Sequence, residues 1–120
     1  MRIQVKGRHV PISDELHDQI ATRFRKVARQ VSDLADLEVE LWQEHPGKNP
    51  ETWVAEVTLR LKGVTLRACE VSPDPMRSVR LCEEELDVQV KRHRDKRRAR
   101  RKGRAGKLAA RFAGSAEPAA

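Results

Sequence analysis

Residues 53–69 read Trp-Val-Ala-Glu-Val-Thr-Leu-Arg-Leu-Lys-Gly-Val-Thr-Leu-Arg-Ala-Cys and carry the clearest structural signal in the chain. Apolar and polar residues alternate on both sides of Lys62-Gly63, which is the pattern of two strands joined by a tight turn. Residues 37–42 alternate in the same way, ahead of the breaker-rich segment 45–50. Three such strands in succession predict an antiparallel meander with one buried face.

Towards the N-terminus, the sequence predicts one more strand and a helix. Residues 2–6 alternate, and Gly7 closes this short strand. Ser13 then offers an N-cap for an amphipathic helix that runs to about Gln30. Its apolar residues recur every three or four positions, as expected for one helical stripe: Ile12, Leu16, Ile20, Phe24, Val27 and Val31.

Towards the C-terminus, Ser72-Pro73-Asp74-Pro75 predicts the end of the sheet and the start of a second helix. Its apolar stripe is formed by Met76, Val79, Cys82 or Glu83, Leu86 and Val90. Gly103 and Gly106 should end this helix, and the Ala-rich residues 107–120 should be disordered. The predicted fold is α+β with the order β-α-β-β-β-α. One four-stranded sheet has two helices packed on one face and the other face exposed, followed by a basic C-terminal tail.

Charge is concentrated in one segment of this 120-residue chain, whose net charge is +7. Residues 1–90 hold 13 basic and 16 acidic residues, whereas residues 91–111 hold 12 basic residues and only Asp95. Such segregation favours a polyanion partner, because each neutralised phosphate releases a condensed counterion. Arg suits this role because its planar fork grips phosphate oxygens bidentately.

The sequence predicts no enzyme, cofactor or metal site. The four histidines are scattered, and phosphate-binding or nucleophile motifs are absent. Cys69 and Cys82 belong to no ligand cluster, and free thiols suit a reducing cytosol. No apolar run suggests a signal peptide or a membrane span. We therefore expect a cytoplasmic protein with no membrane association and no small-molecule substrate. When it is not bound to its polyanionic partner, the protein should be a monomer.

Residues 1 to about 98 resemble the ribosome hibernation-promoting factor family, also called ribosome-associated inhibitor or ribosomal subunit interface protein. The resemblance rests on Met-x-Ile-x-Val-x-Gly-x-x-Val-x-Ile-Ser at residues 1–13, on Arg23-Phe24-Arg25-Lys26, and on the helix end at residues 89–96. It implies the same β-α-β-β-β-α fold. It also implies binding to rRNA of the small ribosomal subunit at the decoding region, which blocks translation.

Carried over from the family, the RNA contacts are Arg23 and Lys26 on the first helix, then Lys91, Arg92, Arg94 and Lys96. The charge of the same two regions adds Arg25, Arg29, Arg97, Arg98, Arg100, Arg101 and Lys102 to the predicted rRNA-binding set. The sequence departs from the family at residues 74–80, which lack most of the usual signature, and at Glu85, where a basic residue is common. These departures shift the expected RNA contacts towards residues 91–104.

Two other functions fit the same pattern. A double-stranded RNA-binding module shares the α-β-β-β-α order, but it carries its phosphate-binding lysines at the start of the last helix. The other is a non-enzymatic protein-interaction domain with a nonspecific basic tail. On the preferred interpretation, residues 1–98 form a ribosome-binding domain, and residues 99–120 form a basic and then Ala-rich disordered tail.

Overall fold

The computed structural model describes residues 1–45, 47 and 51–113, with side chains described as far as residue 103. In chain order the elements are β1 (Arg2–Arg8), α1 (Asp14–Arg23), α2 (Arg25–Ala28), β2 (Asp36–Glu44), β3 (Thr52–Leu61), β4 (Val64–Ser72) and α3 (Pro75–Ala113). The chain divides into two compact units, Met1–Val90 and Lys91–Ala120. The predicted α+β fold is confirmed, with the first helix in two pieces.

The first unit is built on one four-stranded sheet with the order β1-β2-β3-β4. Strands β2, β3 and β4 pair antiparallel, which confirms the predicted meander. Strand β1 pairs with β2 in parallel, so that Ile3 lies opposite Leu37 and Val5 opposite Val39. A parallel pair needs a crossover connection rather than a hairpin, and α1 with α2 supplies it.

Two glycines permit sharp changes of chain direction. Gly63 has a φ of 80° in the predicted tight turn, where Leu61 pairs with Val64. This left-handed conformation costs glycine little because it has no Cβ. At Gly7 the constraint is close approach, since a Cβ there would lie 2.0 Å from the carbonyl oxygen of Val10. Any larger residue would therefore displace the chain that leaves β1.

The hydrophobic core lies between one face of the sheet and the helices of the first unit. Ile20, Phe24 and Val27 from α1 and α2 are fully buried, as is Leu86 from α3. They pack against the inward-facing residues of the strands, among them Leu37, Val39, Leu41, Ala55, Val57 and Leu59. Burial of these residues is the main stabilising term, at about 25 cal/mol for each Å² of apolar surface removed from water.

Polar contacts fix the start of α3 on the sheet. The Ser78 hydroxyl, which is fully buried, donates to the carbonyl oxygen of Trp53 at 2.8 Å and lies 2.7 Å from the Ser72 hydroxyl. Asp74 caps the helix, since its Oδ2 accepts from the Arg77 backbone N–H at 2.9 Å. Buried polar groups are tolerated when they are paired in this way, and the pairing sets the position of the helix.

Two expectations about helix ends are wrong. The first helix does not run unbroken to Gln30, because Phe24 (φ −91°, ψ 7°) separates α1 from α2, which ends at Ala28. Helix α3 does not stop at Gly103 or Gly106 but continues to Ala113. A glycine inside a helix costs only about 1 kcal/mol relative to alanine, and the neighbouring Arg, Lys and Ala residues favour the helix. Residues 114–120, part of the expected disordered tail, lie outside the described residues.

The outer face of the sheet is less exposed than expected. Val54 is 3% exposed and Thr58 is 8% exposed, although both point away from the core. In register, Val54 lies between Trp42 and Val71, whose side chains flank it. The Trp42 ring is itself covered, since the Arg8 guanidinium lies 4.2 Å from the ring centroid.

Candidate nucleic-acid interface

The first candidate surface is the basic side of α1 and α2. Ile20, Phe24 and Val27 point into the core, so the residues between them face outwards. The exposed basic side chains on this side are Arg23, Arg25, Lys26 and Arg29. The structure thus places all four predicted residues of the first helix where a polyanion could reach them. Their contact with RNA stays a prediction.

Lys26 is not a wholly independent charge on this surface. Its Nζ lies 3.6 Å from Oδ2 of Asp87 on α3. Asp87 is 7% exposed, and its Oδ1 accepts from the Gln30 side-chain amide at 2.6 Å. A carboxylate that is nearly buried needs such partners to remain charged. Lys26 therefore links α2 to α3 and also presents a mostly exposed side chain to solvent.

A second acid lies near the same surface. Glu83 on α3 is 8% exposed, and this burial raises the pKa of its carboxyl group. The nearby charges of Arg23 and Lys26 oppose the rise, whereas Asp87 adds to it. The negative charges of Glu83 and Asp87 on α3 therefore cancel part of the positive field of α1 and α2.

Glu85, one of the residues at which the sequence departs from the family that it resembles, lies beside a second acid. The carboxyl groups of Glu70 on β4 and Glu85 on α3 share a hydrogen bond, which raises the pKa of Glu70. Desolvation and the charge of Glu85 raise it further. This part of the first unit is acidic, and it repels a polyanion.

The charges on the outer face of the sheet are largely paired with one another. Glu38 lies 3.3 Å from both the Lys6 ammonium and the Arg60 guanidinium. The hydrogen bond with Lys6 has the largest effect in lowering the pKa of Glu38, and the hydrogen bond with Arg60 lowers it further. Arg8 likewise donates from Nε to Glu40 at 2.7 Å. Because opposite charges alternate across this face, it offers no concentrated positive field.

The second unit holds the densest positive charge. Residues 91–102 contain nine basic residues and Asp95, all within α3. At 1.5 Å per residue, they span about 18 Å of helix. Arg94 is half-buried, and the other basic residues there are exposed: Lys91, Arg92, Lys96, Arg97, Arg98, Arg100, Arg101 and Lys102. With 3.6 residues per turn, these side chains surround the helix instead of forming one stripe.

The sequence-based prediction missed two arginines in the first unit. Arg77 and Arg80 are exposed on the first turns of α3, and with Arg23 they line a groove. Their spacing of three residues, on the side of α3 away from Val79 and Cys82, was the available signal. In the sequence alone, residues 74–80 are distinguished only by their departure from the family pattern.

Among the residues that the structure describes, no three His, Cys, Asp or Glu side chains come together in a way that could hold a metal ion. No helix in this described part of the chain combines the length and apolar character needed to cross a membrane.

The fold and its surfaces define a small α+β domain accompanied by a highly basic helical unit. A family model described as Sigma 54 modulation protein / S30EA ribosomal protein matches residues 3–98, and the chain belongs to this family. The chain is 24% identical over 99 residues to a ribosome hibernation promoting factor from Acinetobacter guillouiae, covering 78% of this chain and 88% of that protein. The family resemblance inferred from the sequence is confirmed.

Other relatives agree with this assignment. A ribosome hibernation promotion factor from Picosynechococcus is 22% identical over 97 residues, and the chain spans 50% of its length. Two solved structures share the fold. A ribosomal subunit interface protein from Coxiella burnetii has a TM-score of 0.65 at 20% identity, with 79% of this chain and 99% of that one covered. The N-terminal domain of Thermus thermophilus Protein Y has a TM-score of 0.62 at 26% identity, covering 78% and 99%.

Proposed function

We propose that this protein binds the small ribosomal subunit at its decoding region and blocks translation by occupying the path of mRNA and tRNA. The observation that carries the proposal is the basic helical segment at residues 91–102, with its nine basic residues and one acid. Family membership and the names of the relatives support a ribosomal target. The phosphate backbone of rRNA supplies the matching negative charge.

The proposed mechanism is occlusion without turnover. The first unit supplies a folded body held together by its core, and basic side chains of both units contact rRNA phosphates. The predicted contacts on α1 and α2 are Arg23, Arg25, Lys26 and Arg29. No bond in RNA, mRNA or tRNA is made or broken, so activity depends only on binding affinity.

The experiment is inhibition of translation in vitro at increasing ratios of protein to ribosome. Inhibition should saturate near one protein per ribosome, and added mRNA or initiator tRNA should compete with the protein. It should also weaken steeply with salt, since six to ten phosphate contacts correspond to a loss of roughly 10³ to 10⁵ in affinity between about 50 and 200 mM salt.

A salt wash separates occlusion from chemistry on the ribosome. If the protein only occupies a site, washed ribosomes should recover full activity, and their rRNA should be unaltered. An enzyme acting on rRNA would inhibit at far below one protein per ribosome and would leave the washed ribosomes inactive. Persistent inactivity after removal of the protein would refute the occlusion mechanism.

A further inference from the structure

A small groove of about 240 Å³ lies in the first unit, beside the end of α1 and the first turns of α3. It is lined by Arg23, Asp74, Met76, Arg77 and Arg80. Three of the five lining residues are therefore arginines. They come from two helices, and only Arg23 belongs to the surface predicted from the sequence.

The backbone that carries the two new arginines is held firmly. Arg77 and Arg80 flank Ser78, whose buried hydroxyl bonds to the carbonyl of Trp53. Because Arg77 and Arg80 are three residues apart on a helix, they share one side of α3. A backbone held in place in this way favours binding, because side chains on rigid elements are positioned more precisely than side chains on mobile ones.

Charge in the groove is not balanced. Among the residues that the structure describes, none of Arg23, Arg77 and Arg80 forms an ion pair with a carboxylate. The single acid of the groove, Asp74, accepts the backbone N–H of Arg77 as a helix cap. The lining thus holds three guanidinium groups and one carboxylate, and the nearby Glu83, which does not line the groove, offsets only part of the charge of Arg23.

We infer that this groove binds a phosphate group of an RNA backbone, with Arg77 and Arg80 as the binding side chains beside Arg23. Guanidinium forks match phosphate oxygens in pairs, and a phosphate would relieve the repulsion between the three arginines. The inference rests on the proposed function and deepens it, because it adds an RNA contact in the first half of α3. That half was expected to contribute little.

The surroundings limit the contact to one or two phosphates. An adjoining groove shares Arg23 and Met76 but is also lined by Glu15 and Asp18. These acids would repel a strand that continued along α1. The site therefore contacts the RNA backbone at one place and does not continue along α1 as an extended basic surface.

The test compares two full-length double variants that each remove two positive charges. Arg77→Gln with Arg80→Gln alters the groove, whereas Arg2→Gln with Arg67→Gln alters exposed arginines on strands β1 and β4. Binding is measured against salt for small ribosomal subunits and, separately, for a short oligouridylate. Loss of the contact with one phosphate should flatten the slope of log K against log salt by about 0.7 to 0.9, and loss of contacts with two phosphates by about 1.4 to 1.8. The control should leave the slope unchanged.

A conservative variant separates binding from folding. Arg77→Lys with Arg80→Lys should keep the slope but lower the affinity, because lysine keeps the charge and loses the fork. Thermal melting should show all three variants folded, since the substituted side chains are exposed. If the glutamine variant binds both targets with the same slope as the control, the inference is wrong, and wild-type binding to subunits would still support the proposed function.

The opposite result is also decisive. If the wild-type protein binds oligouridylate but not ribosomal subunits, the proposed function is wrong. A flattened slope for the groove variant on oligouridylate would then still support the arginine site. Binding of the wild-type protein to neither target would overturn both.

Discussion

The Lys26 ammonium lies 3.6 Å from Oδ2 of Asp87, so a residue predicted to contact RNA also neutralises a carboxylate that is 7% exposed. Asp87 has a second partner in the Gln30 side chain. The basic surface and the packing of α2 on α3 are therefore coupled through one side chain. Substitutions at Lys26 should change stability as well as affinity, and the two effects can be separated.

The first prediction concerns the effect on stability and changes the charge at Lys26 in two steps. Lys26→Gln should lower the free energy of unfolding by less than about 1 kcal/mol, because Lys26 itself is exposed. Lys26→Glu should destabilise more, because it places a carboxylate beside Asp87 and near Glu83. Urea denaturation measures both values. Arg25→Gln is the control, since Arg25 is exposed and forms no ion pair among the described residues. Equal stability of the two Lys26 variants would show that the pair is absent in solution.

The sequence predicted most of the fold because its signals are local and periodic. Alternation over residues 53–69 was sufficient for two strands and their turn, and Gly63 has the positive φ that such a turn allows. The stripe from Val79 to Val90 gave the buried side of α3, where Val79, Cys82, Leu86 and Val90 are all core residues. Each of these depends on neighbours within a few positions along the chain.

The features that were missed depend on tertiary structure. No Gly or Pro marks the break at Phe24, which is nonetheless fully buried. The parallel pairing of β1 with β2 is a matter of topology that alternation cannot reveal. The contact between Lys26 and Asp87 joins two helices far apart in sequence. The groove with Arg77 and Arg80 likewise needs α1 and α3 to be placed side by side.

The second prediction concerns the basic segment. A variant truncated after Val90 keeps the core but holds 13 basic and 16 acidic residues, so it should lose tight ribosome binding. Its far-UV circular dichroism should lose helical signal, because residues 91–113 belong to α3. Cooperative thermal unfolding should persist, since the first unit contains the core.

A full-length control distinguishes charge from chain length in this experiment. Replacing Arg97, Arg98, Arg100 and Arg101 with Gln retains the helix and removes four positive charges. Ribosome co-sedimentation should then weaken and lose part of its salt dependence. If the truncated protein sediments with ribosomes as tightly as the complete chain, residues 91–120 do not carry the binding.

The third prediction uses the two cysteines as reporters of the core. Cys82 is fully buried, its thiol lies 3.2 Å from the Ala55 carbonyl oxygen, and burial raises its pKa to about 12. At pH 8 only about one Cys82 thiol in ten thousand would then be ionised. Cys69 is exposed, although partial burial and Glu56 raise its pKa as well. A thiol reagent should modify Cys69 slowly and Cys82 only after unfolding. Modification of both at one rate in the native protein would contradict the buried position of Cys82.

The last prediction concerns Glu85, which shares a hydrogen bond with Glu70. The raised pKa of Glu70 means that the folded protein holds this proton more tightly than the unfolded chain. The associated stability is present below the ordinary carboxyl pKa of 4.5 and is lost as pH rises through the raised value. Glu85→Lys removes the repulsion and should therefore stabilise the protein at pH 7, by less than about 1 kcal/mol for so exposed a pair. The gain should shrink in acid, where Glu70 is protonated.

The same substitution should tighten ribosome binding, because it replaces a negative charge with a positive one on α3. Glu84→Lys makes an equal charge change on the neighbouring residue, so a stability gain as large for Glu84→Lys would show that the effect is not specific to the Glu70–Glu85 pair. Thermal melts at pH 4 and pH 7, together with co-sedimentation, measure both effects.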